Sequence, residues 1–477
     1  MPIIDSSESY SLLTPGVIII EELGATNSIV ISNVRVPSVI GMAEWGPTDE
    51  IVAISSVADL IDTYGDRSGG NLVKFVETML NEGAGSVKCL RVAGAGTPVK
   101  ATRQLAAGAA TTWDFNAKYY GTEGNDITTQ VVAGSLTGKV TVQIIRNGVM
   151  QKIENVTNDN AAADYIGTMW SCDWVDFVKT GVATTNPSAD GAPVSLASGA
   201  NGTTTADGDV VTKMADWEAD LTIDLVGVAF TASAALRTGM LNHCNKMRNR
   251  IYFMAPVDPT SKTTIIAEMA GYNDKRGCIC YPPLSYYNLE TEAYEDQAVA
   301  WVMGVVARTS PAQAAIGTRY GIVRSGSLSV AIGRTDADDY ATAHVAIGMP
   351  SNSGGYFLAM QNLEYRDAFW GKIQVRTIFD KVEGTLEDTL RYMIGVGGDT
   401  AKTKRDLTMN LTHVLEYYRD LEYIWDYVIN TDKNTDTTRA LGHAYADVYL
   451  QVFPGLEFII IHCGKKSEYD IVVSEVI

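Results

Sequence analysis

Three stretches decide how this chain folds: LTIDLVGVAF (221–230), RIYFMAPV (250–257) and GCICYPPL (277–284). Each centres on a short run of apolar residues and reads as a strand. Helical patterns separate them. Ser233 stands as the N-cap of the first, which carries Leu236, Met240 and Cys244 on one face. The second falls near Thr264–Asn273. Strand, helix, strand, helix, strand predicts a parallel sheet with right-handed crossovers.

Upstream, the same grammar appears earlier and then breaks off. Residues 28–54 read as short strands interrupted by Pro37 and by Gly46-Pro47. Asn71–Glu82 reads as a helix with Asn71 as N-cap, an apolar face of Leu72, Phe75, Val76, Met79 and Leu80, and Gly83 as its stop. VKCLRV (87–92) follows as a strand. Composition then shifts: 44 of the 110 residues from 101 to 210 are Ala, Thr or Gly, and strand-like pieces such as KVTVQIIRN alternate with Gly/Asn/Asp turns. This predicts a β-rich domain inserted into a loop of an α/β core and closed by the loop SLASGANGTTTADGDV.

Downstream, a long helix is expected near Lys404–Tyr427. A run of clean alternation follows, with Ala444, Ala446, Val448, Leu450 and Val452 on one side and His443, Tyr445, Asp447, Tyr449 and Gln451 on the other. Pro454-Gly455 turns into LEFIIIHCG, and YDIVVSEVI ends the chain. At the other end, MPIIDSSESY reads as a loose arm and Val17, Ile18, Ile19 and Ile20 as an all-apolar strand that needs cover on both faces. Unpaired strands at chain ends are aggregation hazards unless something pairs them, and a polymer that pairs them with neighbours gives them a use.

The 477 residues suit about three domains, and 46% apolar against 19% charged residues is a globular balance. A net charge of −19 disfavours nucleic acid and anionic membranes as direct partners. Six spread cysteines fit free thiols in a reducing cytoplasm. The first basic residue is Arg35, and no signal peptide is read. The apolar stretch Ala298–Ala307 is too short to span a bilayer and reads as a buried helix.

Catalytic signatures fail on inspection. GVGGDTAKT (395–403) lacks the Gly that a P-loop needs before Lys402, and it reads as a loop between helices. Asp432-Lys-Asn434-Thr-Asp436 copies half of a calcium loop. Thr437 stands where Gly is needed and His443 where the closing Glu belongs, so an Asx-rich turn is expected. Cys278-x-Cys280 is too tight for a zinc ribbon, and the two thiols are expected to diverge as small core hydrophobes. The five histidines are scattered. No catalytic, cofactor-binding or metal-ligating residue is assigned, and no cofactor is expected.

Several segments, in order, resemble the tail sheath proteins of contractile phage tails and related injection machines. Thr14-Pro15-Gly16-Val17 with Glu21-Glu22 resembles the opening "PGV…E" strand, and Ile40–Pro47 (IGMAEWGP) the "G-x-A-x-x-G-P" segment. Ala117–Asp126 (AKYYGTEGND) is similar to "A-K-x-x-G-x-x-G-N-D". Leu196–Gly202 (LASGANG) is similar to "L-x-G-G-x-x-G", with Ser198 replacing one Gly. Leu225–Pro259 resembles the following strand–helix–strand, and Leu456-Glu457-Phe458-Ile459 the near-terminal "P-x-x-E-F-I" strand. The family's Trp-Lys-Ala-Pro segment does not occur in 311–400.

The resemblance implies an α/β (mixed α+β) multidomain sheath-like core with an inserted β-rich domain and extended N- and C-terminal strand arms. The expected parts are an arm (1–27), the first part of the core (28–100), the outer β-rich insert (101–220) and the continued core (221–380). A tube-proximal region (381–455) and a C-terminal arm (456–477) complete the chain. The implied function is a non-enzymatic structural subunit that polymerises helically around an inner tube and contracts to drive that tube through an envelope. Its partners would be further copies of itself, the inner tail tube protein, and baseplate and tail terminator proteins, with no direct nucleic acid and no membrane insertion. It would sit in a virion tail after assembly in the bacterial host cytoplasm. Strand exchange would use Val17, Ile18, Ile19 and Ile20 at one end. At the other it would use Phe458, Ile459, Ile460 and Ile461, with Ile471, Val472 and Val473. Lys402, Lys404, Arg405 and Arg419 on the long helix are the tube-facing candidates. A nucleotide- or small-molecule-binding α/β enzyme and another surface or structural protein are the alternative readings.

Overall fold

A computed structural model describes residues 4–5, 20–21, 34–66, 70–94, 96–108, 110–202, 205–288, 293–297, 299–320, 327–351, 355–393, 401–435, 444–452 and 455. The chain divides into two compact units, one of residues 33–380 with 453–477 and one of residues 1–32 with 381–452.

The larger unit is built on an eight-stranded sheet. Its order is Tyr356–Leu358, Ala346–Pro350, Gly277–Tyr281, Ile251–Met254, Leu225–Val228, Pro37–Gly41, Val87–Arg91 and Val52–Ile54. The six inner strands run parallel, and an antiparallel strand closes each end. The three stretches that fixed the fold class lie side by side, with Leu225 opposite Ile251 and Phe253 opposite Cys278. Alternate residues feed two cores. Val39, Cys89, Leu225 and Phe253 face the helices Asn71–Asn81 and Ala300–Arg308. Ile40, Leu90, Val226 and Tyr252 face the segment 207–219 and the helices Ala234–Met247, Lys262–Met269 and Arg334–Thr342. Cover on both faces is what the all-apolar strands require.

Ser233 caps Ala234–Met247 as expected, its side chain accepting from the Leu236 amide at 3.1 Å, with Leu236, Met240 and Cys244 buried. Gly83 adopts a φ of +97° just beyond Asn71–Asn81. Four details depart from the sequence reading. Pro37 does not break a strand; it opens an inner one, the one strand position where a missing N–H costs little. Asn71 is the first helical residue rather than the cap, and its side chain reaches back to accept from the Met42 amide at 2.7 Å. Cys278 and Cys280 do not diverge. Residues two apart on a strand share a face, and the sulfurs lie 3.6 Å apart in one core. The long helix stops at Asp420, and Ile424–Asn430 is a strand: Glu422 takes a φ of +60°, and the alternating residues beyond it suit a pleat.

The chain leaves the main sheet after Val87–Arg91 and builds a second β body. One sheet orders Val175–Thr180, Thr112–Tyr120 and Lys100–Ala106; the other orders Val149–Val156, Val140–Arg146, Thr128–Ala133 and Val194–Ser195. Bridges Thr102↔Ala197 and Val99↔Ala200 stitch them together. Asn147-Gly148, both at positive φ, makes the tight hairpin between two of these strands. The interior holds Trp113, Phe115, Val131, Val142 and Val175. The segment 207–219 belongs to the main sheet's cover, through Val210, Met214 and Trp217.

In the smaller unit, helix Ala401–Asp420 buries Leu411, Val414, Leu415 and Tyr418. The Tyr418 hydroxyl donates to the Lys381 carbonyl at 3.0 Å. Ile424–Asn430 and Asp447–Val452 form a two-stranded antiparallel sheet. Asn434 joins the ends of its connection by accepting from the Tyr445 amide and donating to the Tyr445 carbonyl, each at 2.7 Å, and the Asp432 amide donates to Asn430 Oδ1 at 2.7 Å, an Asx turn that leads into the calcium-like stretch. Ile4–Asp5 pairs in parallel with Ile20–Glu21, which puts a strand inside the segment expected to be a loose arm.

Candidate functional site

Three of the quoted segments meet where the β-rich insert joins the main sheet. The first, Ile40–Pro47, continues from strand Pro37–Gly41. Its backbone is held by Arg91, the last residue of the neighbouring strand. Arg91 donates through Nε to the Ala43 carbonyl (2.9 Å), through Nη1 to the Gly46 carbonyl (2.7 Å) and through Nη2 to Asn201 Oδ1 (3.3 Å). Burial lowers its pKa to about 10, so it keeps its charge at neutral pH.

Asn201 belongs to the LASGANG loop and also donates to Thr122 Oγ1 at 3.3 Å. The AKYYGTEGND segment lies against this loop. Asn125 and Gly199 exchange two hydrogen bonds, 3.0 Å from Nδ2 to the Gly199 carbonyl and 2.8 Å from the Gly199 amide to Oδ1. The amide side chain thus imitates a ladder partner for one peptide. Gly121, with a φ of +134°, passes so close to Glu44 that a Cβ would lie 1.8 Å from its carbonyl oxygen.

Trp45 reaches out of the main body into the insert's interior, 1% exposed. Arg146 of the insert lies over it at 4.9 Å from the ring centroid, donates to Glu123 Oε1 at 2.6 Å, and donates to the Asp62 carbonyl on helix Val57–Tyr64 at 2.8 Å. One guanidinium therefore spans both bodies. Arg91, Glu123 and Arg146 are buried, while Asn125 and Asn201 are half-buried and Thr122 is exposed. The glycines and asparagines in the quoted segments were legible in the sequence; Arg91 and Arg146 were not, because an isolated Arg in a strand carries no pattern.

The expected assembly residues fall elsewhere. Val17, Ile18 and Ile19 lie outside the described residues, as do Phe458, Ile459, Ile460, Ile461, Ile471, Val472 and Val473. Ile20 is described and pairs with Ile4. Lys402 is in the first turn of helix Ala401–Asp420, Lys404 is half-buried, and Arg405 and Arg419 are exposed. Arg419 pairs with Glu416 and lies 6.0 Å from the Tyr427 ring centroid. In the two-stranded sheet, Val428 and Tyr449 stand directly opposite each other, both about three-fifths exposed at 58% and 62%. Among the described residues, these two strands pair only with each other.

Among the described residues, no three His, Cys, Asp or Glu side chains converge as a metal site requires. No described helix is long and apolar enough to cross a membrane.

No protein-family model matches the chain, and no curated protein matches its sequence. Solved structures do match. The sheath tail protein Lin1278 from Listeria innocua superposes with a TM-score of 0.65 at 15% identity, over 88% of this chain and 96% of that one. The anti-feeding prophage helical sheath, in its contracted state, gives a TM-score of 0.57 at 12% identity, over 96% of this chain and 100% of that one. The sheath complex of the extracellular contractile injection system PVC, also contracted, gives 0.57 at 11% identity, over 96% and 99%. These likenesses cover most of this chain and nearly all of each matched one, so the chain has the fold of the sheath proteins of contractile tails and contractile injection systems.

Proposed function

We propose that this protein is the structural subunit of a contractile tail sheath. It polymerises helically around an inner tube, engages baseplate and terminator proteins at the ends of the assembly, and contracts to drive the tube through a target envelope. The observation that carries this reading is a shared fold across nearly the whole of both chains, rather than across a single common domain. The assembly forms in the bacterial host cytoplasm and serves as the outer layer of a virion tail.

Subunits are joined by strand exchange. The segments around Val17–Ile20 and from Leu456 onward add strands to sheets of neighbours. The two-stranded sheet Ile424–Asn430 and Asp447–Val452 supports this, because among the described residues it pairs with no further strand. Lys402, Lys404, Arg405 and Arg419 of helix Ala401–Asp420 are the tube-facing candidates, Arg405 and Arg419 being exposed. Contraction is a transition between two packings of rigid bodies linked by backbone ladders, and it needs no nucleotide.

Negative-stain microscopy of the purified full chain tests the reading. Tubes or stacked rings are the expected result. A chain that stays monomeric at high concentration, even with its tube protein present, overturns it. Deleting residues 1–22, or everything from Leu456, leaves a folded monomer that no longer polymerises; normal tubes from both truncations refute strand exchange.

A further inference from the structure

The two chain ends enter the larger unit at the same place. Arg35, the third residue of that unit, is buried and donates to three carbonyls at and beyond the C-terminus of helix Ala300–Arg308. They are Val306 at 3.0 Å, Thr309 at 3.0 Å and Pro311 at 3.4 Å. A guanidinium there satisfies carbonyls the helix cannot and complements its dipole. The next residue of the same loop is tied to the other end of the chain. Gln374 donates from Nε2 to the Ala312 carbonyl at 2.6 Å, and its Oε1 accepts from the Gly455 amide at 3.0 Å. Gly455 sits so close that a Cβ on it would lie 2.6 Å from Ala314 Cβ. Residues 420 apart in sequence are thus fastened to consecutive peptides of one short loop.

We propose that the loop Thr309–Ala315 is a common anchorage for both terminal segments, through which displacement of one root is felt at the other. The route is explicit. A pull on Gly455 moves Gln374 and with it Ala312, and Ala312 adjoins Pro311, which Arg35 holds. The loop is short and packed, with Thr309, Pro311 and Ala315 buried, so it shifts as a piece instead of absorbing the pull. In a lattice where each subunit is linked to neighbours by both ends, which rests on the sheath reading above, this anchorage makes the two links move together. Arg35 and Gln374 are positioning residues in this scheme; they need not touch another subunit.

The test uses the unassembled full-length chain and amide hydrogen exchange, so it does not depend on polymerisation. Two amides report on the roots: Gly455, which donates to Gln374, and Val36, which donates to Asp224 Oδ2 at 2.8 Å. Arg35→Gln is expected to speed exchange at Gly455 by about tenfold, the loss of roughly one hydrogen bond's protection, with Arg35→Lys intermediate. Gly455→Ala, which wedges against Ala314 without touching Arg35, is expected to speed exchange at Val36 by several-fold, about three to five times. Gln374→Glu keeps the acceptor for Gly455 but loses the donor to Ala312, so Gly455 stays protected while Val36 no longer responds to Gly455→Ala. If the far root is unchanged in both directions, the anchorage is refuted; Gly455→Ala decides the matter if Arg35→Gln does not fold. A chain that shows this coupling yet forms no tubes refutes the sheath reading alone, and tubes without coupling refute the anchorage alone.

Discussion

Trp45 and Tyr119 meet edge to face, ring centroids 5.2 Å apart and planes at 82°, although one belongs to the strand exit of the main sheet and the other to the inserted β body. An aromatic pair in this geometry contributes beyond its buried area, and it is the apolar part of a junction whose polar part is Arg91, Arg146 and Asn125. Trp45→Ala is therefore expected to destabilise the insert together with its attachment, by about 3–5 kcal/mol, and Trp45→Phe by distinctly less. Calorimetry on the full chain reads this as a lowered or split transition. An unchanged melting profile for Trp45→Ala means that the insert does not depend on the core for its packing.

Gly121 is the position where the junction tolerates least. Its φ of +134° is a conformation L-residues avoid, and its Cα passes within a side chain's width of the Glu44 carbonyl. Gly121→Ala faces both penalties at once, and the obstacle is backbone that cannot rotate away. The expected cost is about 3 kcal/mol or more. Gly138→Ala is the comparison: its φ is also positive, at +75°, but nothing lies within 4 Å of a Cβ there, so strain alone remains. Equal losses of stability in the two variants contradict the close approach to Glu44.

The parallel sheet was legible because its strands announce themselves twice, as apolar runs and by the helices between them. The insert was legible as a composition change, but its attachment was not. The segment 207–219 has the Thr/Gly/Asp chemistry of the loop before it, yet Val210, Met214 and Trp217 pack under the main sheet. Their spacing is helical, and the polar residues around them hid it. Helix Ala401–Asp420 was extended too far because Tyr423, Trp425 and Tyr427 are as apolar as a helix face; only the positive φ at Glu422 separates helix from strand, and Glu gives no warning of it. Cys278 and Cys280 are small core hydrophobes as their chemistry suggests, but residues two apart on a strand share a face, so the thiols converge. Arg35 and Arg91 are hidden for a different reason: they are held chiefly by main-chain carbonyls, which every residue has.

His243 makes stability depend on acid. Its Nε2 faces Arg250 Nη1 at 2.6 Å, and because a guanidinium can only donate, the ring must accept and stay neutral. Burial, then the Arg250 charge, pushes its pKa down to about 4; Glu218 pulls the other way and Lys246 adds to the lowering. The unfolded chain's histidine has its ordinary value near 6.5. Above that pH the ring is neutral in both states and contributes no pH dependence. As pH falls from 6.5 toward 4 the unfolded state takes up a proton that the folded state refuses, so stability falls, by up to about 3 kcal/mol. His243→Gln, which retains an acceptor for Arg250, is expected to flatten this slope while other titrations remain. Denaturation midpoints at pH 7, 6 and 5 read the difference, and parallel slopes for the two proteins exclude His243 as the source.

Among the described residues the thiols separate into two classes by burial. Cys89, Cys244, Cys278 and Cys280 are buried, while Cys172 is partly open. Burial pushes the Cys244 thiol up to about 12 and raises Cys89 and Cys278 as well, which starves each of the thiolate that reacts. The neighbouring sulfur adds to the effect at Cys278, since the thiolate there would form beside Cys280 at 3.6 Å. Alkylation of the native chain with iodoacetamide at pH 8, mapped by mass spectrometry, is expected to label Cys172 ahead of Cys89, Cys244, Cys278 and Cys280. The four buried cysteines should react at least about a hundredfold more slowly, because each waits for an opening of the core. Cys278 and Cys280 line the same core, so one opening exposes both, and peptides carrying a single label between them should be rare. Frequent single labelling at that pair, or rapid labelling in the native state, contradicts a shared buried face.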